Sequence, residues 1–192
     1  MLPALLLLAL WGPGCGASVP ARFVVERDLD DDYLYRRYQK VLDVEVPVPG
    51  NPSEGHTAVY ERGPEVEGPP LAVAFVARYE KARGLAMELA RAVARLEGYE
   101  TRVEDAGGGN AWVLAGEQGD RWAMWASGRY IVKVGTPDGR ALPEPVCERY
   151  MDIYPSELED DGRPESGADS GGEASQEEAR PAAETPTPQF LQ

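Results

Sequence analysis

The chain has 192 residues and a formal net charge of −14, a length that accommodates one ordinary domain between its terminal segments. The acidic balance disfavours a nucleic-acid partner, because surfaces that bind nucleic acids neutralise phosphates with Lys and Arg. One histidine and two cysteines are too few ligands for a zinc site. We therefore expect no metal and no cofactor.

The first feature along the chain is an apolar run that ends near a cysteine. Residues 2–11 are nearly all apolar, which fits the central region of a signal peptide and is shorter than the roughly 20 residues that a membrane-spanning helix needs. Small residues and one proline follow, and Cys15 stands directly behind Gly14. This arrangement resembles the lipobox of bacterial lipoproteins.

In that class the cysteine thiol receives a diacylglycerol and becomes the first residue of the mature chain. The resemblance implies a signal peptide over residues 1–14, lipidation of Cys15, and a tether over residues 15–27. It also implies a location in the bacterial cell envelope, anchored to a membrane and facing the periplasm or the surface. The alternative is conventional cleavage after Ala17, which would release a soluble secreted protein.

Residues 28–155 are predicted to form one α+β domain. From Asp28 to Leu42, apolar residues recur at helical spacing behind acids that suit a helix start, which predicts a first helix. Alternating valines over residues 44–48 predict a short strand, and their prolines place it at a sheet edge. Thr57 to Glu61 is predicted to be a further strand between glycine-rich and proline-rich loops.

The strongest patterns lie in the middle of the domain. Leu71 to Ala77 is apolar on both faces, as in a strand inside a covered sheet. Apolar residues from Ala82 to Leu96 recur with the period of a helix, and Gly98 follows as its end signal. Alternation over residues 99–104 then predicts a half-buried strand.

Three strands follow in quick succession, at residues 111–115, 121–126 and 130–134, and their short connections predict an antiparallel meander. Residues 143–154 predict a last helix with prolines in its first turn. The order β-α-β-meander-α predicts an α+β fold with an antiparallel sheet and helices mainly on one face. Residues 156–192 contain ten acidic residues against two arginines, and we expect a disordered acidic tail.

Candidate catalytic groups are scarce. His56 lies in a loop-like context with no evident partner, which favours an exposed loop histidine. Cys147 stands at the start of the last predicted helix, where a buried, inert thiol is the usual case. We therefore predict no catalytic residue and a protein that is not an enzyme. A site built from carboxylates alone is the alternative.

Four aromatic residues of the meander are the candidate partner-binding residues: Trp112, Trp122, Trp125 and Tyr130. Aromatic side chains on an uncovered sheet face often contact partners, although packing in the core and at the sheet edge is the commoner reason for such residues. The sequence thus predicts a lipid-anchored binding or accessory domain with an unknown envelope protein as partner. A structural spacer, ending in the apolar pair Phe190 and Leu191, is the second hypothesis.

Overall fold

The computed structural model describes residues 18–29, 32–41, 44–64, 71–139, 141–160 and 162–163. The predicted lipidation site, Cys15, and most of the predicted acidic tail lie outside these residues. Within them the fold is mainly β, with seven strands and two short helices. The strands are β1 Tyr33–Val41, β2 Ser53–Arg62, β3 Leu71–Tyr79, β4 Tyr99–Asp105, β5 Asn110–Gly116, β6 Arg121–Ser127 and β7 Tyr130–Thr136.

All seven strands belong to one antiparallel sheet with the order β1-β2-β3-β7-β6-β5-β4. Two meanders, β1 to β3 and β4 to β7, therefore meet where β3 pairs with β7. Helix α1, Leu85–Val93, joins the meanders, and helix α2, Glu144–Ile153, follows the second one. The predicted meander is confirmed, and β3 is the inner strand that its two apolar faces indicate.

The predicted α+β class is wrong, because the first predicted helix is strand β1. The pairing of β1 with β2 shifts by one residue between Tyr35 and Arg37. Such a bulge places an extra residue in one strand, so that Tyr33, Tyr35 and Tyr38 all lie on one face of the sheet. The irregular spacing hides the two-residue period of a strand and imitates that of a helix.

The predicted placement of the helices is also wrong, because they lie on opposite faces of the sheet. We call the two faces the α1 side and the α2 side. Leu85, Leu89 and Val93 of α1 pack with residues of β5 to β7 in one core cluster. Val146, Tyr150 and other residues of α2 belong to a second cluster. Residues 44–48 form no strand; Val46 instead packs into the core on the α1 side, and its carbonyl accepts a hydrogen bond from the Tyr79 hydroxyl at 2.6 Å.

The segment before β1 completes the α2 side. Val24 and Val25 are buried there, and their burial stabilises the fold by about 1.5 to 3 kcal/mol each. The Val25 amide donates to the Tyr150 hydroxyl at 2.9 Å, and the Tyr60 hydroxyl donates to the Val25 carbonyl at 2.6 Å. The chain therefore enters the folded domain on the α2 side.

Candidate functional site

Trp112 and Trp122 both lie on the α1 side. They belong to neighbouring strands, where Trp122 is paired with Leu114 and Trp112 with Met124. Both indoles are half-buried. Trp112 is partly covered by the chain after α2, since a side chain at Gly162 would meet its ring at 3.0 Å. Trp122 lies beyond this cover, next to an open groove.

The polar edge of Trp122 is fixed by Asp120. The Asp120 Oδ2 atom accepts a hydrogen bond from Trp122 Nε1 at 2.8 Å and another from the Tyr99 hydroxyl at 2.7 Å. Burial alone would raise the pKa of Asp120, but these two hydrogen bonds, its own backbone amide and the Lys133 ammonium together outweigh burial, and the pKa is lowered. The hydrogen bond from Tyr99 to Asp120, together with burial, raises the pKa of Tyr99 to about 12.

The turn that carries Asp120 depends on a glycine. A Cβ atom at Gly116 would stand 1.9 Å from Asp120 Oδ1, so no other residue fits there without moving the carboxylate. Asp120 and Tyr99 were not among the residues predicted from the sequence. The two are 21 positions apart, and only the pairing of β4 with β5 and of β5 with β6 brings Tyr99 close to Trp122.

The faces of the Trp122 ring also have neighbours. The Lys133 ammonium lies 4.2 Å from the ring centroid on one face, a cation–π contact worth about 0.5 to 1 kcal/mol at exposed sites. The backbone at Gly135 approaches the ring closely, since a Cβ atom there would be 2.8 Å from it. Lys133 also pairs with Glu45 at 2.7 Å. The indole is therefore rigidly held.

The groove beside Trp122 has a volume of about 470 Å³. Its floor is formed by Tyr99, Asp120, Trp122 and Lys133, and the loops at residues 97–98 and 116–118 form its rim. A rigid aromatic floor with carboxylate, amide and ammonium groups around it can bind a polar segment that also offers apolar surface. The described residues that line it include no histidine, no cysteine and no group of metal ligands.

The other two predicted aromatic residues lie on the α2 side. Trp125 is 0% exposed, and its Nε1 atom donates to the Tyr154 carbonyl at 2.7 Å. Tyr130 packs against Phe23 and Tyr154, with ring centroids 5.8 and 5.0 Å away. The structure therefore brings two of the four predicted residues, Trp112 and Trp122, to one side and places Trp125 in the core.

Cys147 is confirmed as a buried thiol. It is 0% exposed, and burial raises its pKa to about 12. Because the thiolate is the reactive form, this cysteine is inert at neutral pH. In the part of the chain that the structure describes, no three Asp, Glu, His or Cys side chains group as metal ligands would.

His56 differs from the sequence prediction. It lies in β2 and is only 5% exposed, so the predicted exposed loop is wrong. Its ring is covered by Phe23, which lies 33 positions away and meets it edge-on with the centroids 4.8 Å apart. Sequence reasoning missed this burial because the covering residue comes from the segment before β1.

No family model matches the chain, and neither a curated protein nor a solved structure matches it. The residues described above therefore carry the functional argument. None of the helices in the described ranges is both long and apolar enough to cross a membrane.

Proposed function

We propose that this chain is a non-enzymatic domain of the bacterial cell envelope, that a lipid on Cys15 holds it on a membrane, and that it binds another envelope protein through the groove beside Trp122. The observation that carries the proposal is that the chain enters the domain on one side of the sheet and the groove lies on the other. The chain enters on the α2 side, and the groove opens on the α1 side.

The distance from the lipid to the core supports an anchored domain. Val24 and Val25 are the first buried residues that the structure describes, nine and ten positions after Cys15. A fully extended chain spans at most about 3.5 Å per residue, so the anchor lies within about 30 Å of the α2 side. A partner can therefore approach the α1 side from the aqueous compartment.

The chemistry of the groove supports a protein partner. Aromatic residues are enriched where proteins contact each other, and a rigid ring loses little entropy on binding. The ammonium of Lys133 and the amide of Gln118 provide hydrogen-bonding groups in the lining of the groove. A polar rim around an aromatic centre is the usual composition of such an interface.

Fractionation of cells tests the anchor. We expect the wild-type chain in the membrane fraction and the Cys15→Ala variant outside it. The matched control is Cys147→Ala, which removes the other cysteine and should leave the protein in the membrane fraction. Equal distribution of all three proteins would contradict the anchor.

Site-specific cross-linking in cells tests the groove. A photo-reactive amino acid at Gln118, on the rim of the groove, should cross-link to one defined envelope protein. The control position is Asp152, which is exposed on α2 and should give no cross-link to that protein. The additional substitution Trp122→Ala should abolish the product at position 118. Cross-linking that is unaffected by this substitution would contradict the proposed binding site.

A further inference from the structure

His56 has a nitrogen atom without a partner. Among the described residues, its Nε2 atom is the one buried side-chain nitrogen or oxygen that has no hydrogen bond. The other ring nitrogen, Nδ1, shares a hydrogen bond of 2.9 Å with the Tyr38 hydroxyl. Buried polar groups are almost always paired, and each exception needs an explanation.

The carboxylate beside the His56 ring already pairs with two cations. Glu54 Oε2 lies 3.8 Å from Nε2, too far for a hydrogen bond. The Glu54 carboxylate is already bound by Lys40 Nζ at 2.9 Å and by Arg78 Nη2 at 2.6 Å. Lys40 and Arg78 therefore already neutralise the Glu54 carboxylate while His56 is uncharged. Burial is the main cause that lowers the pKa of His56; Glu54 opposes it, and Lys40 and Arg78 add smaller lowering effects.

The residue that covers His56 is held in an unfavourable backbone conformation. Phe23 has a φ of 64°, and it is the one non-glycine residue with positive φ in the described ranges. Such a conformation costs about 1 kcal/mol or more in a non-glycine residue. It closes a turn in which the Phe23 amide donates to the Pro20 carbonyl at 2.9 Å.

A few contacts balance this strain. The Arg78 guanidinium lies 4.8 Å from the Phe23 ring centroid, and the Tyr154 hydroxyl donates to the Phe23 carbonyl at 2.6 Å. From the same segment, Arg22 lies over the Tyr38 ring at 4.9 Å. Tyr130 is the neighbour from β7. The turn is thus closed by one hydrogen bond and by aromatic and cation–π contacts, and its Phe23 ring lies against the imidazole of His56.

We propose that Phe23 and His56 form a pH-sensitive latch, in which protonation of His56 releases the turn at residues 20–23 from the sheet. The uncharged imidazole can stay buried under Phe23. An imidazolium is stable only when water or an unpaired anion accepts a hydrogen bond from Nε2, and the closed turn excludes water from that atom. Opening gives the ring access to water. The opening ends at Val24, because the burial of Val24 and Val25 and two hydrogen bonds hold the next residues.

The latch changes the length of the tether, a consequence that rests on the proposed lipid on Cys15. Release frees about four residues, which add up to about 3.5 Å each. Because the closed turn already spans part of that length, the domain then stands less than about 14 Å further from the membrane at acidic pH.

Nuclear magnetic resonance tests the latch directly, because the chain has one histidine and three phenylalanines. The mature chain and its Cys15→Ala variant, which carries no lipid, are labelled with fluorophenylalanine and titrated from pH 8 to pH 5. We expect the imidazole signal to report a pKa below the ordinary value of about 6.5. The fluorine signal of Phe23 should move to its free position with the same midpoint, and that of Phe75 should stay.

Two variants make the test decisive. In His56→Leu the Phe23 signal should remain at the closed position down to pH 5. In Phe23→Gly the pKa of His56 should rise towards about 6.5, because the ring is no longer covered. Each unit of pKa difference between the closed and open states multiplies the ratio of open to closed molecules by up to about ten.

Three results would overturn the latch. They are a His56 pKa at or above the ordinary value, a Phe23 signal that stays constant through the His56 titration, and an unchanged His56 pKa in Phe23→Gly. Because the Cys15→Ala chain carries no lipid, these results leave the proposed anchor unaffected. If fractionation shows that the chain is not anchored, the latch can still exist, but it then has no tether to lengthen.

Discussion

Two clusters of aromatic and polar side chains lie on opposite sides of the sheet, and they differ in how well their hydrogen bonds are satisfied. On the α1 side, Asp120 accepts from both Tyr99 and Trp122. On the α2 side, His56 has one partner and one unpaired nitrogen. A satisfied network stabilises a fold, and an unpaired buried group costs free energy. The first cluster therefore gives rigidity, and the second responds to a proton.

Removing Asp120 should have the largest effect on stability. Asp120→Ala leaves the Tyr99 hydroxyl and the Trp122 indole without their shared acceptor, which should lower the free energy of unfolding by about 2 kcal/mol. Urea unfolding at pH 7.5 measures it. Glu117→Ala, an exposed neighbour in the same turn, should change stability by less than about 0.5 kcal/mol. Equal effects of the two substitutions would contradict the role of Asp120.

Lowering the pH should separate the two clusters. The folded state lowers the pKa of His56, so the unfolded chain binds the proton first, and stability is lost as the pH falls below about 6.5, by up to about 1.4 kcal/mol per pH unit. The pKa of Asp120 is also lowered. Its contribution is present above its ordinary value of about 3.9 and is lost only at lower pH.

The measurement is urea unfolding of the wild type and His56→Leu at pH 7.5, 6.5 and 5.5. The difference in stability between the two proteins should shift in favour of the variant as the pH falls. A difference that stays constant over this range would show that His56 titrates equally in the folded and unfolded chains.

Replacing His56 at high pH should have a smaller effect than replacing Asp120. At pH 8, His56→Leu should change the free energy of unfolding by less than about 1 kcal/mol, since it removes the unpaired Nε2 atom while Tyr38 loses one partner. Tyr38 is half-buried, and its hydroxyl can turn to water. A loss as large as that of Asp120→Ala would mean that both clusters are structural.

The contact between Lys133 and Trp122 should contribute least. Lys133→Met should lower the free energy of unfolding by about 0.5 to 1 kcal/mol through the lost cation–π contact. Glu45→Gln, which weakens only the ion pair with Lys133, should have a smaller effect because Glu45 is half-exposed and such pairs contribute little. If Glu45→Gln lowered the free energy of unfolding more than Lys133→Met does, the ion pair and not the cation–π contact would be the stabilising interaction.

The parts of the fold that local patterns determine could be predicted from the sequence. The second meander follows from alternating residues and short turns, and both α1 and α2 follow from helical periodicity and end signals. Strand β1 could not be predicted, because its bulge at residues 35–37 disturbs the period. The side on which each helix packs was also beyond prediction, since periodicity shows that a helix has an apolar face and not which surface covers it.

The candidate site was predicted only in part. Tryptophans in adjacent strands indicated the region of Trp112 and Trp122. The hydrogen bond from Tyr99 to Asp120 and the cover of His56 by Phe23 join residues 21 and 33 positions apart. Such contacts depend on the order of strands and on the path of the segment before β1, and neither follows from local sequence.

The most direct test of the account is the intact mass of the mature chain extracted from membranes. We predict a mass that corresponds to a chain beginning at Cys15 with an added diacylglycerol, and the absence of this species in Cys15→Ala. A mature chain that begins near Ser18 without lipid, or an uncleaved chain that begins at Met1, would contradict the anchored domain.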